Sequence, residues 1–82
     1  PLVAGRAADC DIRFSLDARG VSRRHLSIQY TGHEWTVRDL GSTNGTFVSS
    51  GIRLSPYTDW KLQSGEIIRL GDDENSLKVE IS

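Results

Sequence analysis

The chain reads as an all-β fold, a two-sheet β-sandwich. Three features predict it. Apolar and polar residues alternate over short runs, β-branched and aromatic residues fill those runs, and Gly, Ser, Asn and Asp separate them at strand-plus-turn spacing. Helical periodicity is weak throughout.

Taken in order, Leu2 to Gly5 is a short apolar lead that can form a strand, and "DIRF" (Asp11 to Phe14) is a second. "HLSIQY" puts Leu26, Ile28 and Tyr30 on one face and His25, Ser27 and Gln29 on the other; "TGHE" turns, and "WTVRDL" returns with Trp35 and Val37 on one side. These form a hairpin. "DLGSTNGTFV", Asp39 to Val48, reads as a second hairpin turn, because Asn44-Gly45 best tolerates positive φ at both central turn positions. "TFVSS" (Thr46 to Ser50) is a short strand. "GIRLSPYTDW", Gly51 to Trp60, has no clear period and contains Pro56, so it reads as a loop packed down by Leu54 and Trp60. "EIIRLG" and "SLKVEIS" make a last pair, with Leu77, Val79 and Ile81 inward and Lys78 and Glu80 outward.

At 82 residues the chain is one domain, 1–82, with room for a single modest core. A formal charge of −1 argues against non-specific nucleic-acid binding, which needs a strong basic excess. The charge is unevenly spread, however. Arg6, Arg13, Arg19, Arg23 and Arg24 fall in the first third, while Asp59, Glu66, Asp72, Asp73, Glu74 and Glu80 weight the last third toward acid. The first third can therefore build a local anion site. The single cysteine, Cys10, makes neither an internal disulfide nor a cysteine-based zinc site, so a reducing compartment, cytoplasmic or nuclear, is expected. No apolar run approaches the roughly 20 residues of a membrane span, and no signal-peptide pattern opens the chain. No membrane partner, metal or cofactor is expected.

Three polar groups lie on the predicted loops: Gly5-Arg6, "SRRH" from Ser22 to His25, and "GSTNGT" from Gly41 to Thr46. In that order and in an all-β chain they resemble the forkhead-associated (FHA) domain, and the likeness runs from about Val3 through "LQSGEIIRLG" to the C-terminus. The resemblance implies a sandwich that binds phosphothreonine peptides through loops at one end, in Ser/Thr kinase signalling. It implies phosphate contacts for Arg6, Ser22 and Thr43, a peptide-backbone contact for Asn44, and a structural role for His25 in bracing one loop against another. It also places Arg19 where ligand residues beyond the phosphothreonine are read.

The residue chemistry suits that task. A phosphothreonine carries about −1.5 to −2 charge and three strong acceptor oxygens. Arg6 offers a planar fork of donors, the hydroxyls of Ser22 and Thr43 donate without charge, and Arg23 can add a second cation or an N–H. Asn44 can both donate to and accept from an extended backbone. Gly5, Gly41 and Gly45 read as backbone permissions that support the loops. Ser22, His25 and Asp39 are the residue types of a hydrolase triad, but no nucleophile elbow accompanies them, so no enzyme is expected.

FHA domains usually place two strands before the Gly-Arg pair, whereas only Pro1 to Ala4 precede it here. The expected sandwich therefore has its first one or two strands missing or shortened, which would leave Ser76 to Ser82 as an open edge. Such an edge invites pairing, and a homodimer through it is the second expectation. The alternative function is accordingly a phosphate-independent interaction or oligomerisation module using that edge.

Overall fold

The computed structural model describes residues 1–49 and 51–81. Among these residues nine strands run in chain order as β1 (Leu2–Gly5), β2 (Ile12–Arg13), β3 (Leu26–Tyr30), β4 (Trp35–Asp39), β5 (Thr46–Val48), β6 (Ile52–Arg53), β7 (Asp59–Lys61), β8 (Ile67–Leu70) and β9 (Ser76–Lys78). They form two sheets, β2-β1-β3-β4-β7 and β6-β5-β8-β9. There is no helix among the described residues. The predicted all-β, two-sheet class is the observed one.

Alternation decides which side chains meet between the sheets. Ala4, Leu26 and Val37 from the first sheet and Val48, Ile68 and Leu70 from the second are fully buried, and Val21, Leu54 and Leu62 close the core from the connections. Each fully buried Leu, Ile or Val contributes roughly 1.5–3 kcal/mol relative to exposure. The expected β3–β4 hairpin forms, with Leu26 facing Asp39 and Tyr30 facing Trp35. At its tip Tyr30 is exposed, with its ring 5.1 Å from that of Trp35. The β8–β9 pair is antiparallel as expected, with Leu77 and Val79 half-buried against the core. Ile81 is exposed.

Two expectations are corrected. The segment Asp39 to Val48 is not a hairpin: β4 belongs to the five-stranded sheet and β5 to the four-stranded one, so the chain crosses between layers here. Gly45 is left-handed at φ 91°, but Asn44 is not; among the described residues, Ser49 and Tyr57 are the non-glycine residues with positive φ. A single left-handed residue reverses the chain without returning it alongside itself. The segment Gly51 to Trp60 is not only a loop. It contains β6, which pairs with β5, and the start of β7, which pairs with β4 through Val37 opposite Trp60. Leu54 is buried as expected, and Trp60 packs half-buried from β7, an edge strand that begins after Pro56. The predicted strand from Thr46 shortens to β5, since Ser49 turns left-handed; Ser50 and Ser82 lie outside the described residues.

Strand polarity gathers the connections. β1 ends, β3 begins, β4 ends, β5 begins and β8 ends on the same side, as the pairs Ala4–Leu26, Leu26–Asp39 and Thr46–Leu70 require. Residues 6–25, 40–45 and 71–75 therefore share one end of the sandwich.

Candidate functional site

The first of these loops is built on Gly5. A Cβ there would lie 2.2 Å from the carbonyl oxygen of Arg23, so only glycine lets the end of β1 pass so close to the 22–23 backbone. The approach is held by Arg6 N–H to Ser22 O at 3.1 Å and Ala7 N–H to Arg23 O at 3.0 Å. The half-buried Arg6 side chain donates through Nε to the carbonyl of Val21. That bond fixes the direction of the guanidinium and leaves its terminal nitrogens to donate elsewhere.

Ser22 links the first loop to the second. Its Oγ accepts the N–H of Thr43 at 3.1 Å, which frees its own proton for another acceptor. Ser22 is thus bonded to Arg6 through its carbonyl and to Thr43 through its hydroxyl oxygen. The Ser22 N–H donates to Nδ1 of His25 at 3.0 Å. Because Nδ1 accepts, the proton sits on Nε2, which donates to the carbonyl of Gly45 at 2.7 Å. His25 is completely buried, and that burial lowers its pKa below the ordinary value, with the Gly45 carbonyl and the Asp39 carboxylate pulling the other way. It is neutral at pH 7.

The second loop is organised by Asp39, which is 1% exposed. Its Oδ2 accepts the N–H groups of Gly41 and Ser42, each at 3.0 Å, and its Oδ1 accepts the hydroxyls of Ser42 and of Thr46, the latter at 2.7 Å. Ser42 Oγ in turn accepts the Gly45 N–H at 3.1 Å. Of the three hydroxyls flanking Asn44-Gly45, two therefore satisfy a buried carboxylate, and only Thr43 faces solvent beside the exposed Asn44. Gly41, at φ 76°, sits against the Tyr57 hydroxyl, which donates to Leu40 O at 3.1 Å.

The third loop docks through glycine pairs. Gly71 N–H donates to Gly45 O at 2.9 Å, and a Cβ on Gly71 would fall 2.0 Å from Gly20 O. The Asn44 side-chain amide reaches toward Gly20 O at 3.5 Å, at the outer limit of a hydrogen bond.

Arg6, Ser22, Thr43 and Asn44 thus lie on adjoining loops at one end, with His25, Gly5, Gly41 and Gly45 beneath them. Arg23 is exposed next to Ser22, and neither Arg6 nor Arg23 enters an ion pair among the described residues. Arg24, by contrast, is spent on Asp9 at 2.6 Å. Arg19 is exposed in a depression that it shares with Asp17, Asp72 and Glu74. No triad forms, because both ring nitrogens of His25 are bonded to backbone and Asp39 is bonded within its own loop. Sequence reasoning missed Asp39 as the anchor of its loop, although a carboxylate two and three residues ahead of N–H groups is a readable Asx-turn signal. It also missed Gly20 and Gly71, whose close approach has no sequence signal.

Comparison with known proteins agrees with this architecture. The family model described as FHA domain matches residues 2–71. The FHA domain-containing protein FhaA of Mycobacterium tuberculosis is 43% identical over 72 residues, covering 88% of this chain and 12% of the relative. The chain thus spans a small part of that relative's length. A structure from a structural and functional study of phosphothreonine-dependent FHA domain interactions superposes with a TM-score of 0.80 at 37% identity, covering 99% of this chain and 76% of the other. Mycobacterium tuberculosis EmbR, in complex with a low-affinity phosphopeptide, superposes with a TM-score of 0.81 at 32% identity, over 98% of this chain and 19% of EmbR. With the loop architecture, the family model and the superpositions in agreement, this chain belongs to the FHA domain family.

Proposed function

We infer that this chain is a phosphothreonine-dependent interaction module that reads phosphorylated peptides downstream of a Ser/Thr kinase, without enzymatic activity of its own. One observation carries the reading. Ser22 accepts the backbone N–H of Arg6 at its carbonyl and that of Thr43 at its hydroxyl, at 3.1 Å each, and the Arg6 guanidinium bonds the adjacent Val21 carbonyl, so the three residues that carry a guanidinium and two hydroxyls are tied together on adjoining loops. A tetrahedral dianion asks for that set: one fork of N–H donors and neutral donors beside it, already oriented. Arg23, with no carboxylate partner among the described residues, adds field at the rim. Asn44, exposed on the same loop, clamps the peptide backbone irrespective of its side chains. Relatives of known structure that were studied for phosphothreonine-dependent interactions support the same assignment.

Arg19 would read an acidic ligand residue. Asp17, Asp72 and Glu74 share its depression and offset its field, so that preference is weak. The binding energy is expected in the micromolar class, roughly −8 kcal/mol. A γ-methyl pocket adds about 1 kcal/mol for phosphothreonine over phosphoserine, or about fivefold. The work is done in a reducing compartment, cytoplasmic or nuclear, and needs neither nucleic acid nor membrane nor cofactor.

The experiment is calorimetry with matched phosphothreonine, phosphoserine and unmodified peptides drawn from a degenerate panel. Binding of the phosphothreonine form alone, or well above the others, is expected. Equal affinity for the unmodified peptide would replace this reading with a phosphate-independent interaction module.

A further inference from the structure

The outer faces of the two sheets differ in how their cations are matched. On the five-stranded sheet Arg38 is paired with Asp59 at 2.8 Å and Lys61 with Glu34 at 3.6 Å. On the four-stranded sheet β5 buries Thr46 and Val48, which turns Phe47 outward, and the ladder sets Phe47 opposite Arg53 of β6 on one side and Arg69 of β8 on the other. Side chains directly opposite one another share a face, so Arg53, Phe47 and Arg69 form a row across three strands. Among the described residues Arg53 enters no ion pair, and Arg69 has only Asp73 at 3.8 Å, a side chain that is 98% exposed. An exposed pair of that length is worth little.

Arg53 is also held in place. Its guanidinium carbon lies 5.9 Å from the centroid of the Phe47 ring, and the group packs against Gly45, where a Cβ would come within 2.7 Å of Nε. A guanidinium stacked in this way has less freedom to lose on meeting a carboxylate. Gly45 belongs to the loop that carries Thr43 and Asn44, and its carbonyl accepts from His25. The row lies one residue in from the end where the loops meet, since Phe47 follows Thr46 at the start of β5 and Arg69 precedes Leu70 at the end of β8. It therefore borders the phosphate-binding loops along the rim of the sheet.

We propose that this row extends the phosphopeptide site and reads acidic side chains of the same ligand, so that the preferred partner is a phosphothreonine segment flanked on one side by glutamate or aspartate. The inference rests on the peptide-binding reading and adds a specificity to it. The ligand leaves the phosphate past Asn44, crosses the rim at Gly45 and lies over Phe47, with one carboxylate on Arg53 and a second on Arg69 in place of Asp73. Adjacent strands stand roughly 4.8 Å apart, so two arginines placed one strand to either side of β5 ask for carboxylates about three residues apart in an extended chain.

Charge complementarity selects this occupant and its side. Asn44 adjoins two surfaces: its amide reaches toward Gly20 O, and the residue after it abuts Arg53. On the Gly20 side, Arg19 shares its depression with Asp17, Asp72 and Glu74, which offset its field. On the Gly45 side, two arginines bracket one aromatic ring, and among the described residues the nearest carboxylate paired with either is the exposed one of Asp73. Only the second surface favours an anion. An acidic flank that passes Gly45 is therefore favoured, and one that passes Arg19 gains little.

Calorimetry at low and high salt tests this with phosphothreonine peptides that share a core and carry glutamates before it, glutamates after it, or serines in both places. One acidic flank should raise affinity about fivefold over the serine peptide at low salt, and the gain should fade at high salt. Arg53→Gln and Arg69→Gln should each bring the ratio of acidic to neutral affinity toward one, while Arg53→Lys should keep most of it. Arg53→Glu should turn the preference toward a lysine flank on the same side. No gain from either flank overturns the proposal, as does an equal gain from both, or a gain that outlives the double variant Arg53→Gln with Arg69→Gln. The peptide-binding reading fails differently, through equal affinity of the serine-flanked peptide with and without its phosphate. That result removes the site being extended and overturns this proposal with it.

Discussion

The carbonyl oxygen of Gly45 receives two donors, Nε2 of His25 at 2.7 Å and the N–H of Gly71 at 2.9 Å. One backbone atom therefore ties all three loops at the binding end. His25 in turn reaches Ser22 through Nδ1, so the first and second loops are joined through one buried ring.

His25→Ala should cost roughly 2–4 kcal/mol, for a cavity, an orphaned Ser22 N–H and a Gly45 carbonyl left with one donor in place of two. The effect on phosphopeptide binding should exceed that of removing any single rim hydroxyl. Urea denaturation and calorimetry on the same variant check both statements.

The same residue sets a pH dependence. Burial lowers the pKa of His25 in the folded chain, so below about 6.5, where an unfolded histidine titrates, the unfolded state binds more protons. Its contribution is full above that pH and is lost as pH falls toward the depressed folded value. Protonation would also set an N–H against the Ser22 N–H. The stability difference between wild type and His25→Asn, followed by denaturation from pH 8 to 5, should shrink on acidification. A difference that is flat in pH would contradict the neutral tautomer.

Arg6→Ala should weaken phosphothreonine peptide binding by tenfold or more, since truncating a half-buried charge-assisted anchor costs on the order of 2–5 kcal/mol. Arg38→Ala removes only an exposed pair with Asp59, 2.8 Å apart on the outer face, and should leave binding unchanged. Equal losses in the two titrations would refute the assignment of Arg6.

The hydroxyls around Asn44-Gly45 should separate by readout. Thr46→Val breaks a buried bond to Asp39 and should cost about 1–3 kcal/mol of stability. Thr43→Ala touches an exposed side chain and should lower peptide affinity with little change in the denaturation midpoint. The reverse pattern would mean that the roles of the two threonines are exchanged.

Gly71 and Gly32 offer a matched pair. Both are left-handed, at φ 80° and 94°, so alanine at either is strained by about 1–2 kcal/mol. A Cβ at Gly32 meets nothing within 4 Å, whereas at Gly71 it would meet Gly20 O at 2.0 Å. Gly71→Ala should therefore be the more damaging by thermal denaturation and should also reduce peptide binding.

The β3–β4 and β8–β9 hairpins were legible because their segments alternate over enough residues to fix a face, whereas the β5–β6 hairpin, whose second strand has two residues, was not. The crossing after Asp39 was not: Asn44-Gly45 reverses a chain whether the next strand pairs with the last or enters the opposite sheet, and the sequence holds only the reversal. β7 escaped because three residues, Asp59 to Lys61, are too few to show a period, and its place depends on Trp60 meeting Val37. At the end of the sandwich where the three loops meet, Arg6, Ser22, Thr43 and Asn44 were singled out through motifs. Asp39 was considered only for catalysis, although its work is to satisfy its own loop, and the Gly20–Gly71 contact joins positions that neither share a motif nor lie near in sequence.

The cage around Asp39 has a practical corollary. Four hydrogen bonds set the shape of residues 39–46 from within, and none of them uses the side chain of Thr43 or Asn44. Those two positions are interchangeable fittings on a fixed bracket. Libraries diversified there, with Asp39, Ser42, Gly45 and Thr46 held constant, should yield correctly folded members at high frequency, which makes this loop a natural place to re-engineer what the domain recognises.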